Sequence, residues 1–97
     1  MKKYAVETYR TVRGDASAAN TMHFDTVEDA QDAFDAADLR RAWNLERESS
    51  AVLDSVRERV DIADLQAVEI DEDGFEEFEL MDRRVYGYAD YRAEQQG

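Results

Sequence analysis

Sixteen acids of this chain fall in two stretches that contain no Lys or Arg, and that segregation limits what the chain can fold into. Residues 25–38 hold Asp25, Glu28, Asp29, Asp32, Asp35 and Asp38; residues 61–82 hold Asp61, Asp64, Glu69, Asp71, Glu72, Asp73, Glu76, Glu77, Glu79 and Asp82. The two stretches carry −16 and the remainder +4, which gives the formal −12. Acids that serve only solubility are normally interleaved with bases, because like charges repel at short range. A base-free run needs a wet face and an apolar back, and it suggests a surface shaped to meet something cationic.

The apolar backs are present. Tyr4, Val6 and Thr8 alternate with Ala5, Glu7 and Tyr9, so residues 3–11 are predicted as a strand. RGDASAAN (13–20) is expected to be a loop, and NTMHF (20–24) a returning strand. Asp25 or Thr26 then caps a helix, with Asp25 and Glu28 at capping-box spacing. Val27, Ala30, Phe34 and Ala37 form its apolar stripe, and Glu28, Asp32 and Asp35 cluster on the opposite side. Arg40 and Arg41 arrive where a cation favours a helix C-terminus.

LRRAWNLERE continues in helix-compatible fashion, anchored by Trp43 and Leu45. Ser49 or Ser50 caps a second helix through Val52, Leu53, Val56 and Val60, ended by Asp61 to Asp64. Residues 65–70 favour a strand and Asp71 to Gly74 a turn. In 75–81, Glu77 and Glu79 alternate with Phe78 and Leu80, as in a strand with one wet face; Phe75, Phe78 and Val85 also permit a helix. VYGYADY (85–91) is expected to close the sheet. The expected order is ββααβββ, an α+β fold with a small antiparallel sheet and helices on one face. At 97 residues, with 43% apolar residues, the chain is read as one domain, with residues 94–97 frayed.

Chemistry-bearing motifs are sparse. There is no cysteine, which removes disulfides and thiolate sites. Glu69, Asp71, Asp73 and Gly74 match the first positions of a calcium loop, but Leu80 falls where the bidentate carboxylate is required. His23 has no second histidine, and Ser17, Ser49, Ser50 and Ser55 have no companion base. The acids crowd a solvated face rather than pairing in a cleft, so general acid–base chemistry is not indicated. No catalytic, cofactor or metal site is therefore expected.

What remains is binding. Net charge argues against anionic membranes and nucleic acid as direct partners, and the absence of a long apolar run argues against a membrane-spanning helix. No signal peptide is evident, and a cytoplasmic location is expected. Acids at i, i+4 on a helix and at i, i+2 on a strand approximate the spacing of successive phosphates on a nucleic-acid strand. The expected partner is a basic protein, such as a nucleic-acid-binding enzyme, and a homodimer is left open. The residues expected to contact it are Asp25, Glu28, Asp29, Asp32, Asp35, Asp71, Asp73, Glu76, Glu77 and Glu79, with Tyr86 and Tyr88 beside the acidic hairpin. In size and composition alone, the chain is similar to small phage or mobile-element inhibitors that mimic DNA, of the anti-restriction and anti-CRISPR type. The alternative is a small structural or oligomerising domain whose acidity reflects a saline or compositional background.

Overall fold

The computed structural model describes residues 2–17, 19–40 and 57–96. Among the described residues the frame is a five-stranded antiparallel sheet with two helices, an α+β arrangement. Strands β1 (Lys2–Val12), β2 (Asp15–Ala16) and β3 (Asn20–Phe24) precede α1 (Val27–Ala36); β4 (Arg59–Ile70), β5 (Glu76–Gly87) and α2 (Tyr88–Gln96) follow. β1 lies between the β2/β3 edge and β4, and β5 is the outermost strand beyond β4.

The first hairpin is tighter than its sequence suggests. Arg13 and Gly14 both have positive φ, 56° and 82°, and form a two-residue turn between the paired residues Val12 and Asp15. Positive φ at both central positions matches the twist of the flanking strands. The expected loop over 13–20 is therefore mostly hairpin. β1 pairs Thr11 with Ala16 but Thr8 with Asn20, so the returning side holds one extra residue. Ser17 marks the break, its backbone N–H donating to the Arg10 carbonyl and its Oγ accepting from the Arg10 N–H.

α1 begins where the cap residues indicate, but on Thr26 alone. The Thr26 side chain accepts from the Asp29 N–H at 3.2 Å. Ala30 and Phe34 are buried against Val6, Ala63 and Leu65, and these five residues form the core between helix and sheet. Each fully buried side chain of the size of Val, Leu or Phe contributes about 1.5–3 kcal/mol. Of the expected C-terminal cations, Arg40 does not lie in the last turn of α1, which contains no base, and Arg41 lies outside the described residues. Arg84 of β5 supplies the cation instead: its Nη1 donates to the carbonyls of Phe34 (2.6 Å) and Ala37 (2.8 Å). Its guanidinium also sits 5.7 Å from the centre of the Phe34 ring.

The second half of the chain departs further from expectation. Most of the second helix, together with Trp43 and Leu45, lies outside the described residues. Its last expected residue, Val60, and its expected end, Asp61 to Asp64, lie instead in β4, paired with β1 from Arg59↔Val12 to Glu69↔Lys2 without interruption. The strands expected over 65–70 and 75–81 extend into a pair of twelve-residue strands, β4 and β5. The expected closing strand over 85–91 does not exist: Val85 to Gly87 finish β5, and Tyr88 opens α2. Asp90 accepts from the Gly87 N–H at 2.8 Å, half of a capping box that starts the helix there. Residues 94–96 form the last turn of α2.

Candidate functional site

Strand alternation assigns every acid of the second stretch to a side of the sheet. Leu65 and Ala63 pack under α1, and in a strand every second residue shares a face. Asp61, Ala67 and Glu69 of β4 therefore share the helix side. Directly opposed residues share a side as well, which adds Glu77 (opposite Glu69), Glu79 (opposite Ala67), Asp82 (opposite Leu65), Arg84 and Tyr86. Glu76 (opposite Ile70), Phe78, Leu80, Arg83 and Val85 take the other side. Met81 is the extra residue at a bulge, where β5 steps from Leu80 to Asp82 opposite Gln66 and Leu65.

Two acids of this stretch belong to the interior. Asp61 is 5% exposed and accepts from Arg59 Nη2 and Arg10 Nε, both at 2.9 Å. Burial on its own pushes the Asp61 carboxyl up, but hydrogen bonds from Arg59 and Arg10 outweigh it and hold the carboxyl below the usual range. Asp64, 3% exposed, takes Arg83 Nε at 2.6 Å and Nη2 at 3.0 Å, and accepts from the Tyr9 hydroxyl at 3.1 Å. Desolvation, then the bond to Asp64, raises the Tyr9 pKa. These pairs lie on opposite sides of the sheet, Asp61 towards α1 and Asp64 away from it.

The other eight acids of the stretch are exposed. Asp71 has a structural task as well: its Oδ1 accepts the N–H groups of Asp73 and Phe75, each at 2.9 Å, closing the turn that Gly74 permits with φ 84°. Asp73 and Glu72 are at the tip of the hairpin. Glu69, Glu77, Glu79 and Asp82 line the helix side, with two bases there, Lys2 opposite Glu69 and Arg84 two residues beyond Asp82. Lys2, Ala67, Glu69, Glu77, Phe78 and Glu79 surround a shallow depression there.

The acids of α1 lie above the same side. Glu28, Asp29, Asp32 and Asp35 are exposed, while Ala30 and Phe34 point into the sheet. Glu28 and Asp29 occupy the first turn, where the helix dipole favours them. Asp35 accepts from Gln31 Nε2 at 3.0 Å, and Asp25 lies 3.5 Å from Lys3 Nζ. The C-terminal end of α1 meets Arg84, so its N-terminal end lies towards the Tyr4–Phe24 end of the sheet and the acidic hairpin. Four exposed acids of α1 (Glu28, Asp29, Asp32 and Asp35) and four of the second stretch (Glu69, Glu77, Glu79 and Asp82) thus share one side of the sheet, whereas Glu76 and Asp64 lie on the other.

The tyrosines do not join them. Tyr86 is ten residues along β5 from Glu76, about 33 Å of extended chain. Its hydroxyl donates to Glu94, which also receives Arg40 Nε at 3.1 Å. Burial and then the bond to Glu94 push the Tyr86 pKa up to about 12. Tyr88, on α2, stacks with Tyr91 at 6.5 Å between ring centres. The expected patch of tyrosines beside the acidic hairpin is absent because Tyr86 and Tyr88 stand at the far end of the strand.

The sequence reading missed the apolar edge of β5. Phe78, Leu80, Met81 and Val85 are 46–54% exposed, and Phe75 before them is 70% exposed. The alternation of Phe78 and Leu80 was visible, but nothing in it marked β5 as the outermost strand.

Among the described residues no helix is long and apolar enough to cross a membrane, and no group of three or more His, Cys, Asp or Glu is placed to hold a metal ion. No family model, no curated protein and no solved structure matches the chain.

Proposed function

We propose that the chain is a non-enzymatic protein that binds a basic protein surface through the side of the sheet that carries α1. It acts there as a nucleic-acid mimic, blocking a nuclease or another DNA-binding protein as cytoplasmic inhibitors from phages and mobile elements do. The observation that supports this most is the side shared by four exposed acids of each stretch. Glu28, Asp29, Asp32 and Asp35 lie on the outward face of α1, and Glu69, Glu77, Glu79 and Asp82 lie on the same side of the sheet. Acids on helix and strand at spacings of about 5–7 Å offer a basic groove a row of charges like a phosphate backbone. Such a surface speeds encounter with cationic partners, and salt weakens the complex.

The test is capture from a host lysate at low salt, with duplex DNA as competitor. Wild-type protein should retain a basic protein that duplex DNA displaces. The triple variant E28K/D32K/D35K should keep its circular dichroism and lose the captured protein. Capture unchanged by the triple variant, or indifferent to duplex DNA, rejects the proposal.

A second reading treats the acidity as compositional background in a small structural or oligomerising domain. Asp61 and Asp64 favour it, since both serve the interior. Under that reading, molar salt raises the melting temperature strongly and no lysate protein is retained.

A further inference from the structure

β5 pairs with β4 on one side, and among the described residues no strand pairs with its other side. It is twelve residues long, and Phe78, Leu80, Met81 and Val85 are about half exposed along it. A long, apolar outer strand is a template for another strand. We propose that the outer edge of β5 pairs antiparallel with β5 of a second copy of this chain, joining the two sheets into one.

The strand's own order of residues argues for a second copy. Its first half carries Glu76, Glu77 and Glu79 with no base, and its second half carries Arg83 and Arg84 beside one acid, Asp82. Antiparallel self-pairing sets the acidic half of each copy against the basic half of the other. The bulge at Met81 then selects a register. Because of it, Phe78, Leu80, Arg83 and Val85 share the side away from α1, while Glu79 and Arg84 share the α1 side. A two-fold axis between Met81 and Asp82 keeps sides matched and sets Phe78 against Val85 of the second copy. It also sets Glu79 against Arg84 of the second copy and Leu80 against the aliphatic stem of Arg83. Each pair occurs twice. A parallel arrangement in register would stack Glu76, Glu77 and Glu79 on themselves, so the charges select the antiparallel one.

The inference deepens the oligomerising alternative and does not depend on the acidic-face reading. Salt separates the two: a complex with a basic protein loosens as salt rises. Two copies that each carry −12 associate more tightly as their mutual repulsion is screened.

Sedimentation equilibrium of the full chain, from micromolar to about millimolar concentration, tests it. The expected result is a monomer–dimer equilibrium, tighter at moderate salt than at low salt, that E79R weakens about tenfold. The register is read by mild oxidation. F78C/V85C should give a covalent dimer on a non-reducing gel, because the two positions meet across the interface. F78C alone and V85C alone should not, since a position and its own copy stand seven residues apart. A monomer at every concentration overturns the proposal. So does a dimer that F78C/V85C fails to cross-link while F78C alone succeeds.

Discussion

Asp61 and Glu77 belong to the same base-free stretch, yet they have opposite fates. Asp61 is 5% exposed and held by Arg59 and Arg10, whereas Glu77 is exposed beside Glu69 at the far end of the same two-stranded ribbon. Arg10 lies 51 positions away in sequence and comes into reach because β1 pairs with β4 along its whole length. The same holds for Asp64, whose partner Arg83 is 19 positions away. A stretch without bases along the chain is therefore not a stretch without bases in space. Towards the Val12 end of β1 and the Arg59 end of β4 the fold neutralises its acids; towards the β4–β5 hairpin tip it leaves them to solvent.

The largest effect that sharpens this contrast is expected from Asp61→Ala. Arg59, 7% exposed, would keep a buried charge without its acid, and a loss of about 3 kcal/mol is expected in urea unfolding. A loss no greater than that of an exposed acid would erase the distinction between the two ends.

Acid titration comes next. The folded Asp61 carboxyl lies below its usual value, so its contribution is complete above about pH 4 and disappears as pH falls through the folded value. Stability of Asp61→Asn should consequently fall less steeply below that pH than wild type. Parallel profiles would mean that the pair contributes nothing in solution.

The Tyr86–Glu94 pair supplies the opposite sign. A raised tyrosine pKa means that its contribution is complete below about pH 10 and is lost as pH climbs to about 12. Tyrosinate absorbance should show a group ionising near 12, and that group should vanish in Tyr86→Phe.

The smallest effect on stability belongs to the exposed acids. E77K/E79K should alter unfolding by no more than about 0.5 kcal/mol, because neither glutamate is buried. A large destabilisation would show that the hairpin acids serve the fold after all.

The first half of the fold was legible because its signals are local. β1 alternates, α1 has a stripe through Ala30 and Phe34, and Thr26 caps it. The second half depends on contacts distant in sequence. Asp61 and Asp64 occupy buried strand positions that a local reading assigns to solvent, so Asp61 to Asp64 resembled the end of a helix. Tyr86 and Tyr88 alternate like strand residues, and the signal that separates them, Gly87 with Asp90 three positions on, is a short one. For the candidate site, the acids of α1 and of the hairpin were identifiable individually. Their common side was not, because it rests on the β1–β4 register and on the bulge at Met81.

Glu76 and Glu77 offer the most direct test of the account. They are adjacent, equally charged and exposed, and they lie on opposite sides of the sheet. The affinity of each Lys variant for the DNA-displaceable partner, measured at one low salt concentration, isolates the side from the charge. Glu77→Lys is expected to weaken binding about tenfold while Glu76→Lys leaves it near wild type. Equal losses in the two variants would contradict the claim that the α1 side is the binding surface.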